Sequence, residues 1–214
     1  MKLDGLSLSV VGLPPLAAVM PSAIIPIWCF FILKKAVGLN LPNAGAIAAH
    51  YGSVSAVTFS VVLAFLEIGK VPVEGYVPAL LAVMEAPAII VAIFLALRTG
   101  KSGTSQPGDM KKLLHDLKAA GRKLVAFAII MPPLHRVLGE FVGKWCGLNL
   151  GGTTVLATLA ASASYIAAPA AVRIALPQAS PALYLTSSLA ITFPFNIVLG
   201  IPLYHGFAKI LFNS

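Results

Sequence analysis

Two clusters of polar side chains sit where the surrounding sequence is apolar. The stretch "AHYGSVSAVTF" at 49–59 places a His, a Tyr, a Gly, two Ser and a Thr inside a run that stays apolar from Gly45 to Phe65. A second stretch, "ASASYIAAPAA" at 161–171, sets Ser162, Ser164 and Tyr165 just ahead of Pro169. Polar groups in hydrocarbon are costly unless paired, so each cluster serves either helix packing or a ligand. Gly, Ala and Ser permit two helices to cross closely, which accounts for either stretch taken alone. Pro169 cannot continue regular helix hydrogen bonding, so a break is expected near 165–168. A broken helix releases amides at one half-helix N-terminus and carbonyls at the C-terminus of the other. Amides and Ser hydroxyls suit a small anion, whereas carbonyls and hydroxyls suit sodium. The candidates for substrate binding are therefore Gly52, Ser53, Ser55, Thr58, Ser162, Ser164 and Tyr165. His50, beside them, reads as a packing or hydrogen-bonding residue as readily as a ligand.

Other chemistries find little support. Asp4, Asp109 and Asp116 are the only Asp residues and all fall outside the apolar runs, which excludes a paired intramembrane aspartyl protease. No HExxH, GxSxG or Gly-rich phosphate loop occurs, and the four His have no metal-ligand spacing. An enzyme is not expected, nor is a cofactor. Glu85 stands apart, halfway along an apolar segment in "VMEAPAII". It is a cation or proton site, or a protonated group bonded to backbone left open by Pro87. Arg136 and Glu140, four apart, are expected to satisfy each other.

The elements that must position these residues are membrane spans. Of 214 residues, 58% are hydrophobic and 10% charged, with a mean hydropathy of +0.93, far from soluble composition. Six apolar segments, at about 8–33, 44–67, 76–98, 122–143, 150–173 and 181–208, each reach the roughly 20 residues that cross a bilayer. The runs are continuous rather than alternating, so helices and not strands are predicted. The chain reads as an all-α polytopic membrane protein of six transmembrane helices.

The net charge of +8 follows topology and does not call for nucleic acid. Arg98, Lys101, Lys111, Lys112, Lys118, Arg122 and Lys123 crowd the connection between the third and fourth segments, and six spans bring Lys34, Lys35 and Arg173 to the same side. Lys2, Lys70, Lys144 and Lys209 fall on the other, and ten against four puts the linker in the cytoplasm with both termini outside. The linker opens as a Gly/Ser/Pro stretch and becomes a basic amphipathic helix. Leu113, Leu114 and Leu117 are placed to rest on the headgroup boundary, although a merely solvated connection accounts for the composition too. The N-terminus, with no small-residue cleavage site, reads as a retained first span.

The two polar clusters belong to a repeat. "GLNL" occurs at 38–41 and at 147–150, and the same offset of 109 carries Ser53, Ser55 and Pro72 onto Ser162, Ser164 and Pro181. "PPL" at 14–16 is echoed at 132–134, Trp28-Cys29 by Trp145-Cys146, and Pro87 by Pro194 after a two-residue slip. The chain thus divides into a first three-span repeat at 1–100, the basic linker at 101–121 and a second three-span repeat at 122–214. An odd number of spans per copy inserts the copies upside down relative to each other. Inverted repeats are a transporter architecture, with the site near the midplane at interrupted helices in each half. The equivalent positions of Cys29 and Cys146 then lie on opposite sides, so no disulfide joins them.

These residues resemble the sodium-dependent bicarbonate transporter family, the bicarbonate permeases known from cyanobacterial carbon concentration. The resemblance runs through "AIAAHYGSVSAVTF", "VEGYVPALLAVMEAPAIIVAIFLA" and "VLATLAASASYIAAPAAVRIALPQASPALYLTSSLAITFPFNIVLGIPLY". It implies crossed, interrupted helices in a core domain that holds bicarbonate and sodium, a gate domain beside it, and trimers. It also implies a bacterial inner membrane and regulation by a PII-like protein. Ser55, Thr58, Ser162, Ser164, Pro169 and Arg173 match the cyanobacterial pattern. Tyr165 stands where that pattern has an Asp, and Ala167 and Val57 each replace a Ser. The spans match the third to fifth and eighth to tenth of the family, without the two gate spans that open each family repeat. The resemblance therefore implies a symporter of bicarbonate with sodium as coupling ion. The alternative is a core fragment, or a subunit of a split transporter that does not transport alone.

Overall fold

The computed structural model describes the backbone of residues 8–99 and 110–213 and the side chains of residues 12–99 and 121–213. All regular structure among these residues is helical. In chain order the helices are α1 (Leu8–Ile32, extended by a π turn at Leu33–Val37), α2 (Leu41–Gly52), α3 (Ala56–Ile68), α4 (Pro78–Thr99), α5 (Met110–Trp145), α6 (Leu150–Ala161), α7 (Ala167–Ala175) and α8 (Pro181–Asn213). The last is one continuous span containing π-helical stretches at Thr186–Thr192 and Asn196–Gly200.

Five segments are long and apolar enough to cross a membrane: Gly12–Val37, Leu41–Ile68, Pro78–Thr99, Gly121–Trp145 and Pro181–Asn213. The fifth of the six expected segments, at 150–173, is divided into α6 and α7, of 12 and 9 residues, each too short to span alone. The span Leu41–Ile68 is itself divided, between α2 and α3. The basic half of the linker is helical from Met110 and runs on into α5 without a break. Its side chains, those of Leu113, Leu114, Asp116 and Leu117 included, lie outside the described residues, as do Asp4 and residues 100–109.

The "GLNL" repeat is a helix corner made twice. Gly38 and Gly147 have φ of +88° and +83°, the left-handed conformation that ends a helix and that only Gly adopts freely. Two residues later Asn40 and Asn149 start the next helix. Asn40 Oδ1 accepts from the Asn43 amide at 3.0 Å and Asn149 Oδ1 from the Gly152 amide at 2.8 Å, each satisfying an amide that has no carbonyl partner within its helix.

Small residues set the packing between α5 and α6. A side-chain carbon on Gly139 would lie 2.7 Å from Ala157 Cα and 2.8 Å from the Leu156 carbonyl oxygen, and one on Gly143 would lie 3.0 Å from Thr153 Oγ1. Gly139 and Gly143 form a small-xxx-small pair facing Thr153 and Ala157, the spacing that lets backbones in membranes approach closely. In the other half α2 packs between α1 and α4. Trp28 Nε1 on α1 donates to His135 Nε2 on α5 at 3.0 Å. Arg136 pairs with Glu140 at 2.5 Å and also lies 3.7 Å above the Phe207 ring. Cys29 and Cys146 are free and buried.

The close approach of α5 and α6 is directly testable. Gly139→Ala must push the two helices apart, and overpacking of this kind costs about 1–3 kcal/mol. Thermal unfolding in detergent should show that loss. Gly12→Ala, whose added carbon meets nothing within 4 Å, should be neutral or slightly stabilising.

Candidate functional site

The two breaks meet. α2 packs against α7 while α3 packs against α6, so the first half of each interrupted helix touches the second half of the other. Between α2 and α3 the chain is extended, with Ser53 at φ −85°, ψ 167°; Ser162, at the end of α6, has φ −82°, ψ 172°. At the crossing the Ser55 amide donates to Ser162 Oγ at 3.0 Å, and the Ser164 amide donates to the His50 carbonyl at 2.8 Å. Residues 107 and 114 positions apart thus satisfy backbone groups that the breaks release.

The hydroxyls differ in how far they are committed. Ser162 Oγ accepts from the Ser55 amide and donates to the Leu159 carbonyl at 2.8 Å, so its hydrogen is engaged. Ser55 Oγ accepts from the Thr58 amide at 3.2 Å, capping α3, and Ser164 Oγ accepts from the Ala168 amide at 3.3 Å in α7. Accepting from backbone leaves a hydroxyl hydrogen to donate elsewhere. Ser53 Oγ is fully buried and has no partner among the described residues.

Three expected residues fall at the edge of this arrangement. Gly52 is buried where an added carbon would lie 2.7 Å from Pro26 Cδ and 2.9 Å from Ala88 Cβ, so the absent side chain is needed for α2 to fit between α1 and α4. Tyr165 is half-buried with its ring edge-on to Phe193 at 5.2 Å. Glu85 is half-buried on α4, one turn from Ala88. Thr58 is buried, and its amide takes the Ser55 cap.

α8 supplies further polar groups, of which the repeat singles out only Thr192, the counterpart of Glu85 in the Pro87–Pro194 correspondence. Asn196 Nδ2 donates to the carbonyl of Ala161, the last residue of α6, at 2.9 Å, while its Oδ1 accepts from Tyr204 at 2.7 Å. Gly200 leaves room for that bond, since a side chain there would meet Asn196 Oδ1 at 2.7 Å and the Tyr204 hydroxyl at 2.9 Å. Thr192 Oγ1 donates to the Ala128 carbonyl at 2.8 Å, the acceptor that Pro132 deprives of its helical amide. Tyr51 donates to the Ser187 carbonyl at 3.1 Å and lies 2.6 Å from Thr192 Oγ1. The signal for Asn196 was present as a lone amide in the apolar "TFPFNIVLG", where an intramembrane polar residue marks a contact of consequence.

The loops before α4 and α8 close over the helix starts in matching fashion. Glu74 Oε1 accepts from the Asn149 amide at 2.6 Å at the start of α6, and Asn43 Oδ1 at the start of α2 accepts from the Ser180 amide at 2.7 Å. Burial, with the Glu74 carboxylate nearby, holds the Tyr76 hydroxyl above its ordinary pKa.

The described residues are all-helical, with five segments long and apolar enough to cross a membrane, one of them interrupted beside a second interrupted helix, as in an integral membrane protein. The family model for the Na+-dependent bicarbonate transporter superfamily matches residues 1–118 and, in a second segment, 109–209, and the chain belongs to that superfamily. Membership makes it a transport protein and not an enzyme. No curated protein matches the chain.

The serines at the crossing separate by role. Ser162→Ala leaves the buried Ser55 amide without its acceptor and should destabilise the protein by about 1–3 kcal/mol. Ser53→Ala removes a buried atom that has no partner and should leave folding unchanged or slightly improved. Thermal unfolding of the two variants side by side checks the contrast.

Proposed function

We propose that the chain is the core of a sodium-dependent bicarbonate symporter, with a small-anion site where the α2–α3 and α6–α7 breaks cross. The crossing carries this reading, through the bonds from the Ser55 amide to Ser162 and from the Ser164 amide to His50 in a chain of this superfamily. Ser53, Ser55 and Ser164 offer hydroxyl hydrogens to an oxyanion, and the starts of α3 and α7 add backbone amides of favourable polarity. Ser162 ties the two breaks together, Thr58 gives its amide to the Ser55 cap of α3, and Gly52 and Tyr165 bound the crossing. Sodium, as coupling ion, would take carbonyl and hydroxyl oxygens at the opposite half-helix ends, and the half-buried Glu85 on α4 is the candidate for a cation or proton site.

Six spans, counting α6 and α7 together, arranged as an inverted repeat explain several paired features at once. These are the two Gly-Leu-Asn corners, the two broken helices and the loop contacts at Asn43 and Glu74. The outer faces of α3 and α7 favour a second reading, a core subunit whose moving partner lies elsewhere. Ala56, Val57, Ser60, Ala64 and Glu67 are exposed on α3, and Ala170 and Arg173 on α7. Ile68 and Ile174 are exposed there too, and it is the small and charged members of this set that suit contact with another protein body better than lipid. Alternating access also needs one body to rock against another.

Uptake of labelled bicarbonate into liposomes holding this chain alone should depend on an inward sodium gradient. Binding without uptake would favour the subunit reading, and neither binding nor uptake would sink both. Topology is checked separately. The native thiols are buried, so Lys34→Cys and Trp145→Cys, both at exposed positions, should be modified by a membrane-impermeant reagent from opposite sides. Modification from one side only would end the inverted arrangement.

A further inference from the structure

Beside the crossing three side-chain atoms are buried with no partner among the described residues: His50 Nε2, Ser53 Oγ and Tyr184 Oη. His50 and Ser53 are 0% exposed and Tyr184 is 1% exposed. His50 and Tyr184 are in direct contact, and Ser53 lies in the break itself. The His50 ring stacks on Tyr184 with centroids 4.6 Å apart, and Ser53 closes α2 one turn beyond His50, whose carbonyl receives the Ser164 amide. Buried polar atoms are almost always satisfied, so an orphaned Ser53 Oγ in the break, with two further orphaned atoms on the stacked His50 and Tyr184 rings, points to an occupant.

The chemistry of that occupant follows from the tautomer of His50. Its Nδ1 lies 2.7 Å from the Ala46 carbonyl oxygen. A carbonyl only accepts, so Nδ1 carries the hydrogen and Nε2 of the neutral ring is an obligate acceptor. Ser53 and Tyr184 each have a hydroxyl hydrogen to donate. An occupant that uses the whole set must accept from two hydroxyls and give a proton to a nitrogen. Sodium has no proton to give and prefers oxygen ligands. Nitrate, formate and carbonate accept but cannot donate. Water fits, and so does an oxyanion that retains a hydroxyl.

We propose that His50 Nε2 is the specificity-determining acceptor for the hydroxyl of bicarbonate, with Ser53 and Tyr184 donating to its charged oxygens. The inference rests on the anion site proposed above. An anion without a hydroxyl leaves Nε2 buried and unpaired, and a missing hydrogen bond of this kind is worth about ten- to a hundredfold in affinity.

The test uses the full chain in lipid nanodiscs with 15N-labelled histidine, titrated with bicarbonate, nitrate and formate. His50→Leu identifies the His50 signal and provides the selectivity variant. In the wild type, the Nε2 resonance of His50 should move on adding bicarbonate and stay in place with nitrate or formate. Tyr184→Phe, which keeps the ring stack, should weaken all three anions about tenfold. His50→Leu should lower the preference for bicarbonate over nitrate by about ten- to a hundredfold. If His50→Leu does not fold, the wild-type spectra and Tyr184→Phe decide. Bicarbonate binding that leaves the His50 signal unmoved, or moves it as nitrate and formate do, overturns the inference while the anion site stands. Wild-type protein that binds no bicarbonate overturns the proposed function and this inference with it.

Discussion

A membrane interior offers no water to a backbone amide or carbonyl, so each one that leaves a helical ladder must find its partner within the protein. That constraint governs this molecule because two of its helices are interrupted at buried positions, around Ser53–Ser55 and Ser162–Ser164. The Ser55 amide, the Ser164 amide and the Ala161 carbonyl are all taken by groups from other helices. Either break alone would leave buried backbone unsatisfied. The two halves of the chain are therefore interdependent at the place where a ligand has most to gain.

The prolines extend the same logic outward. Pro132 within α5 frees the Ala128 carbonyl, Thr192 on α8 takes it, and Tyr51 on α2 reaches both Thr192 and the Ser187 carbonyl in the π-helical stretch. A π turn misaligns the ladder and releases carbonyls much as proline does. α8 is thus irregular where it must serve its neighbours, with Asn196 bonded to α6 and Thr192 to α5. Asn196 and Thr192 act as fixed struts, whereas Ser53, His50 and Tyr184 each keep a buried atom without a partner among the described residues, as do Glu74, His135, Arg136 and Glu140.

Close approach is the other requirement. Backbone groups from two helices bond only if nothing bulky intervenes, and the glycines meet that need at specific contacts. Gly52 admits Pro26 and Ala88, and Gly139 admits the backbone of Ala157. Gly38 and Gly147 do something different, since their positive φ turns the chain ahead of α2 and α6. Conformational freedom and small size are two uses of one residue type, and the first is what the repeated "GLNL" encodes.

Much of this was legible in the sequence. Apolar run length dictated a helical membrane protein, because only helices satisfy a continuous apolar backbone locally. The offset of 109 paired the two polar clusters in which the breaks fall. Pro169 pointed to an opening near 165–168, whereas the chain opens at 162–166 and takes Pro169 into the first turn of α7, where proline is tolerated. Gly38 and Asn40 announced their corner through conformational preferences carried by the residues themselves. The sequence did not reveal that Ser162 would be spent on the Ser55 amide while Ser53 kept an open hydroxyl, because both sit in the same kind of motif. It gave no way to pair Asn196 with Ala161, or Tyr184 with His50, since a partner 35 or more residues distant is chosen by packing. Nor did hydropathy show that the fifth apolar segment is two short helices, because averaging over about 20 residues passes over a break of a few. Local rules determined that the backbone must open in these clusters; only the tertiary arrangement decided which group closes each opening and which buried atom stays unpaired.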